Sequence, residues 1–257
     1  MNYRLLADTA ILAGEIMLQG GAETYRVEDT MQRILDVSGA EKTEVLVFST
    51  AVMLTLDDPS ISPISKTTRI LARGTNLGNI CAVNSLSRKF CAGEIALEEV
   101  YASLQELCKK KEYSPVVTYL CTLVTVVMFT LLLGATAKDA VFAGMSATVM
   151  VLLQVLLQRI GLNEFMYHMT ALACATFFVT VLQSLLRANV NLELVVAGTA
   201  MPLLPGVAIT NAIRDTLQGD YVSGAARVME AFVRAISCAV GIGVGLYLGN
   251  LVSGGVL

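Results

Sequence analysis

Residues 109–135 read KKKEYSPVVTYLCTLVTVVMFTLLLGA, and the change of character inside that stretch decides the fold. It opens on a knot of charge, Lys109-Lys110-Lys111-Glu112, and from Val116 to Ala135 it carries none. A helix over 116–135 is about 30 Å long at 1.5 Å per residue, the thickness of a bilayer's hydrocarbon core. The same uncharged character returns at 140–158 and at 165–186. Residues 191–217 are apolar but are cut by Met201-Pro202-Leu203-Leu204-Pro205-Gly206. Residues 221–252 form a long last segment with charges in its first half. Five membrane crossings are expected.

Upstream of Tyr113 the chain reads differently. Residues 1–112 hold 12 Lys/Arg and 15 Asp/Glu, against 6 and 6 in residues 113–257. The chain is expected to divide into an N-terminal domain, 1–112, and a membrane domain, 113–257. Overall, 55% of the 257 residues are apolar and only 15% charged, where soluble domains average about a quarter charged. So few charges cannot cover a water-facing surface, which excludes an ordinary soluble enzyme, a disordered tail or a disulfide miniprotein. A net charge of −3 argues against nucleic-acid binding, which needs a basic face.

The first domain reads as α+β. Residues 3–18 place Leu5, Leu6, Thr9, Leu12, Ala13 and Ile16 on one helical face, and Gly20-Gly21 stops that helix. A second helix is expected over 22–38, with Glu23 where the helix dipole favours an anion. Thr43–Asp57 predicts one strand, Asp57-Asp58-Pro59 a turn, and Lys66–Arg73 a partner strand ended by Gly74. Residues 77–91 and 94–111 predict two more helices. The N-terminus, MNYRLLADTAILAGEIM, carries Asp8 and Glu15 and lacks a basic start and a small-residue cleavage site, so it reads as part of the mature chain. The six cysteines have no zinc-ligand spacing and read as free thiols.

Orientation follows from connecting charges. Lys109–Lys111, Arg159 and Arg214 fall on one side, Lys138 and Arg187 on the other. The N-terminal domain is therefore expected in the cytoplasm and the C-terminus outside, in a multi-pass membrane protein.

The broken fourth segment carries the candidate site. Residues 191–201 and 206–217 are half-helices of about 16 and 18 Å, which puts Pro202, Pro205 and Gly206 near the midplane. Prolines remove amide donors, and carbonyls freed in lipid must face protein or a watery cavity. Transporters use such breaks as binding sites, and the positive start of the second half-helix at Gly206 suits an anion. A kink made for packing would leave the same letters. In the fifth segment Asp220, Ser223, Arg227, Glu230 and Arg234 line one face. Arg234 is expected near the depth of the break, with Glu230 pairing to Arg227 or Arg234; the alternative lays 221–231 along the membrane surface. Asn211, Arg214 and Asp215 either gate the path or end the helix. His168 reads as a packed histidine or as a proton relay. In the first domain, Glu23, Arg26 and Glu28 lie in a dense polar stretch with Asp29 and Arg33, a solvated helix face or a lid over the membrane domain. Gly241, Gly243 and Gly245 fall inside an apolar span with no strand before them, which fits helix packing rather than a dinucleotide loop. No Walker loop, nucleophile elbow or metal-ligand cluster is readable, so neither an enzyme nor a cofactor is expected.

Several of these stretches resemble the bacterial threonine/serine exporter family: Gly21-Ala22-Glu23-Thr24-Tyr25-Arg26-Val27-Glu28, Met201 through Gly206, Asn211-Ala212-Ile213-Arg214-Asp215, Gly219 through Gly224, and Ala226-Arg227 through Glu230-Ala231. The resemblance covers nearly the whole chain. It implies a secondary transporter of small carboxylate metabolites. Pro202, Pro205, Gly206, Asn211, Arg214, Asp215, Arg227, Glu230 and Arg234 are its candidate substrate-binding residues, and Glu23, Arg26 and Glu28 a possible gate. Members fuse two membrane regions or split them between subunits; this chain resembles the larger subunit of a split pair, which implies a smaller membrane partner and self-association. Split relatives are associated with dicarboxylates such as succinate, fused ones with threonine and serine. The expected fold is thus an α-helical membrane protein with five transmembrane helices, one broken by Pro-x-x-Pro-Gly, plus an N-terminal cytoplasmic α+β domain. A membrane-anchored sensor is the alternative, and an intramembrane enzyme a weaker one.

Overall fold

The structure is a computed structural model that describes residues 1–71, 74–109 and 113–254. The expected domain boundary at Lys110–Glu112, the end of the expected strand at Ala72-Arg73 and the C-terminal Leu257 lie outside the described residues. Contacts divide the chain into two compact units, and the division is not the linear one drawn from charge. Met1–Lys111 group with Gly206–Met229, and Glu112–Pro205 with Glu230–Leu257.

In the first unit, α1 (Tyr3–Gln19) is capped by the Asn2 side chain, which accepts from the Leu5 N–H, and buries Leu6, Ala10, Ala13 and Met17. The second helix, α2 (Thr24–Asp36), buries Val27, Met31, Ile34 and Leu35. They cover one face of a three-stranded antiparallel sheet, β1 (Lys42–Phe48), β2 (Ala51–Asp57) and β3 (Ile64–Arg69), in that order. The single strand expected over 43–57 is in fact two. The chain folds back at Ser49-Thr50, pairing Phe48 with Ala51 and Val47 with Val52. A two-residue turn without Gly, Asn or Pro leaves no punctuation in a Val/Leu-rich run. Val47, Val52, Leu54 and Leu56 alternate inward, and α3 (Leu77–Cys91) and α4 (Leu97–Lys109) close the core with Ile80, Val83, Phe90, Val100 and Leu104.

The second unit is helical. Its elements are α5 (Pro115–Leu132), α6 (Ala137–Arg159), α7 (Glu164–Leu186) and α8 (Leu192–Ala200), followed by a 3-10 turn at Met201–Leu203. Each helix starts on a side chain that accepts from its first turn: Ser114, Thr136, Asn163 and Asn191 in order. Then come α9 (Gly206–Leu217), which lies in the first unit, and α10 (Tyr221–Val252). Among the described residues, α5, α6, α7 and α10 are each long and apolar enough to cross a membrane, and the pair α8–α9 makes a fifth span if counted as one.

Glycines set the approach of α10 to α7. A side chain on Gly241 would strike the Met169 backbone, one on Gly245 the Ala173 carbonyl and Thr176, and one on Gly249 Thr180. The Ser237 hydroxyl donates to the Phe165 carbonyl at 3.1 Å. Residue numbers climb together on both helices, so α7 and α10 run parallel.

Candidate functional site

The turn Gly20-Gly21-Ala22-Glu23 links α1 to α2. Gly21 takes φ +84°, and a Cβ there would sit 2.7 Å from the Gly74 carbonyl. This sharp turn presents two carbonyls and the first amides of α2. Side chains from α9 and α10 take them up. Asn211 donates its Nδ2 to the Gly21 carbonyl at 2.7 Å, and Arg227 donates an Nη to the Ala22 carbonyl at 2.7 Å. Asp215 accepts the Thr24 N–H at 3.1 Å. Glu23, the residue at the start of α2, makes no side-chain cap; Asp215 supplies that anion from elsewhere in the chain, where the helix dipole favours it. The other Asp215 oxygen lies 2.9 Å from Arg227 Nε, in an ion pair whose side chains are 0% and 7% exposed. Gly224 lets α10 approach α9, since a Cβ there would lie 3.1 Å from the Ala212 carbonyl.

The rim is wetter. Glu23 pairs with Arg214 through one oxygen and with Arg26 through the other at 3.6 Å; the two arginines are 56% and 50% exposed. Burial alone pushes the Glu23 carboxyl up, but hydrogen bonds from its backbone and from Arg214, with the charges of Arg26 and Arg214, outweigh that and hold it below the usual range. Glu28 goes the other way. Burial raises it, the Val47 N–H it accepts at 3.0 Å offsets part of that, and Asp220 adds to the rise. Burial and the Asp215 charge likewise push Asp220 up.

Glu230 and Arg234 form a separate cluster in the second unit. Arg234 lies 2.6 Å from Glu164 and 3.5 Å from Glu230. His168 sits 3.4 Å from Glu164 and 3.4 Å from Gln154. The closest partner of Arg234 is thus Glu164, the first residue of α7. Residues 234–252, about 28 Å of helix, run beside α7. Arg227 pairs with Asp215 and Arg234 with Glu164, so Glu230 is the secondary partner. Pro202 lies in the 3-10 turn and Pro205 immediately before α9. A Cβ on Gly206 would meet nothing within 4 Å, so packing does not demand glycine there. Gly206 falls in the first unit and Arg234 in the second. Asp29 and Arg33 pair at 2.9 Å on an open face of α2.

Two participants escape a reading of the sequence. Glu164 carries a signal, as an acid at the head of an otherwise uncharged span. The Gly21 and Ala22 carbonyls carry none, because backbone acceptors are invisible in side-chain letters.

Parallel spanning helices, a broken span and a buried ionic cluster define a multi-pass membrane protein. The ThrE model of threonine/serine exporters matches residues 8–249, and the chain belongs to the threonine/serine exporter family. It is similar to a Mycobacterium tuberculosis protein named "Probable threonine/serine exporter", 25% identical over 249 residues; the match covers 94% of this chain and 46% of that one. The chain thus spans about half the length of that curated relative. No solved structure matches it.

Proposed function

We propose that this chain is a subunit of a secondary transporter that exports a small amino acid of the threonine/serine class across a bacterial inner membrane. The observation that carries the reading is the charge balance of the cluster. Glu23 and Asp215 face Arg26, Arg214 and Arg227, with Glu28 and Asp220 close by. A dicarboxylate brings two negative charges and needs a clear surplus of cations, which this set lacks. A zwitterion needs one of each. At the half-exposed rim its carboxylate takes the Arg214 fork and its ammonium takes Glu23, which its hydrogen bonds and arginine partners keep ionised against burial. One ion pair opens and two form. Asp215 and Arg227 stay joined and hold α9, α10 and the 21–24 turn in register, so they position the site. Asn211 does the same at Gly21, and Arg26 and Glu28 flank the opening as a gate. The Pro202-to-Gly206 break gives the span its bend, and Arg234, Glu230 and Glu164 form a second charged station. A mere anchor for a sensor would need neither break nor cluster.

Efflux from preloaded vesicles tests this. Glu23→Gln and Arg214→Gln are each expected to cut L-threonine efflux by about tenfold, since each removes one charged partner of the substrate. Succinate efflux should stay at background. Wild-type threonine rates in the double variant, or preferred succinate flux, would overturn the reading. We further propose a smaller membrane subunit of the same family and self-association; full efflux by this chain alone would refute the partner.

In the proposed orientation the N-terminal α+β domain is cytoplasmic. Reporter fusions after Asn163 and after Asp220 should report cytoplasm, and one at Leu257 the outside. A cytoplasmic C-terminus would sink the five-crossing topology.

A further inference from the structure

Helix α7 ends on Arg187, held at φ 49° and ψ 38° in the left-handed region. Every other left-handed residue described is a glycine, including those that follow α5, α6, α9 and α10. Glycine takes this conformation without the Cβ clash that any other residue meets, so at the end of α7 the chain keeps a cation where glycine is easier. The loop it opens is pinned. Gln183 Nε2 donates to the Val190 carbonyl at 3.1 Å, and the Asn191 N–H donates to the buried Asp139 carboxylate at 2.7 Å. Beside it lies a half-enclosed cavity of about 550 Å³, lined by Thr180, Gln183, Ser184, Arg187, Asn250 and Ser253 among others. Among the described residues the buried Ser253 hydroxyl has no hydrogen-bond partner. Because α7 and α10 run parallel, both present their carbonyl-rich, negative ends here.

Among the described lining residues Arg187 is the one cation, and set beside two negative helix ends it suits neither a simple anion nor a simple cation. We propose that this cavity binds an α-amino acid by its zwitterion, with the carboxylate on the Arg187 guanidinium, the ammonium toward the helix-end carbonyls, and Asn250 and Ser253 supplying the remaining hydrogen bonds. The proposal rests on the reading of the chain as an amino-acid exporter, and in that orientation the cavity is the outward station of the path.

The test places a cysteine at Ala188, a lining residue with no role in binding, in the full chain in lipid nanodiscs. Labelling of that position by a hydrophilic maleimide is followed by mass spectrometry. L-threonine is expected to protect it; threoninol, N-acetylthreonine and succinate, each lacking one charge of the zwitterion or carrying the wrong pair, are not. Arg187→Gly keeps the backbone conformation and removes the guanidinium. It should raise the half-protecting threonine concentration by about tenfold or more without lowering the unfolding temperature, and Arg187→Lys should fall between. Unchanged protection in Arg187→Gly, or equal protection by succinate, overturns the proposal. Protection that needs Arg187 in a chain that moves no threonine even with the smaller membrane subunit present would uphold the cavity and sink the transport reading. Threonine efflux with protection indifferent to Arg187 would do the reverse.

Discussion

Asp215→Ala is expected to destabilise the first unit by about 3–5 kcal/mol, the usual cost of removing one partner of a buried ion pair. The substitution strands the Arg227 guanidinium in a site where both side chains are almost wholly excluded from water. It also leaves the Thr24 N–H without its acceptor. A folded domain of this size holds only about 5–15 kcal/mol in total, so the loss is a large fraction of its stability. Arg227→Met should cost a similar amount, since it exposes the Asp215 carboxylate to the same burial and empties the Ala22 carbonyl. Asp215→Leu with Arg227→Met should recover most of the stability, because an apolar pair pays no desolvation penalty. It should not recover full efflux, because the 21–24 turn then keeps only Asn211 and Arg214 to hold it to α9 and loses its tie to α10. Equilibrium unfolding in detergent checks this. A loss under about 1 kcal/mol for either single change would mean that the pair is solvated, as exposed pairs are.

This pair also marks the limit of what the sequence discloses. The helices of the first unit were legible from period and stops, because the Gly20-Gly21 stop acts within a turn or two of the residues it ends. The spanning helices were legible because absence of charge is a local property. The hairpin at Ser49-Thr50 was not, since its turn has no distinctive residue. The grouping of Gly206–Met229 with the N-terminal unit was also hidden. Those residues are apolar enough to read as membrane, and the bonds that tie them to the N-terminal unit join positions 190 to 205 apart, as between Gly21 and Asn211 or Ala22 and Arg227. Periodicity says which face a residue occupies and nothing about what it meets across such a distance. The polar stretches at 21–28, 211–215 and 220–230 each stood out; that Asn211, Arg214, Asp215 and Arg227 all close on the 21–24 turn came only with the fold. For Arg234 the helical spacing found its i, i+4 neighbour Glu230 and missed the nearer Glu164, which lies on another helix.

Gly245→Leu is expected to cost about 3 kcal/mol or more, and the neighbouring Gly243→Leu nothing. Both residues sit in the same apolar stretch of α10, so hydropathy and helix propensity treat them alike. Their surroundings differ. A Cβ at 245 would lie 2.7 Å from the Thr176 Cβ and 3.0 Å from the Phe177 amide nitrogen; one at 243 meets nothing within 4 Å. Most of the atoms struck at 245 belong to backbone, which cannot rotate aside as a side-chain end can. The two helices must separate, and the dispersion contacts along the seam are lost over its whole length. Overpacking typically costs about 1–3 kcal/mol when side chains absorb it, and more when backbone must move. At 243 the substitution replaces glycine with a better helix former, a change favourable by up to about 1 kcal/mol. Thermal unfolding in detergent, with the amount of protein reaching the membrane as a second readout, separates the cases. The seam matters beyond stability, because α10 carries Arg234 to Glu164 at one end of it and Asn250 to the Arg187 cavity at the other. If Gly245→Leu and Gly243→Leu behave alike, the parallel packing of α7 on α10 is wrong, and both placements fall with it.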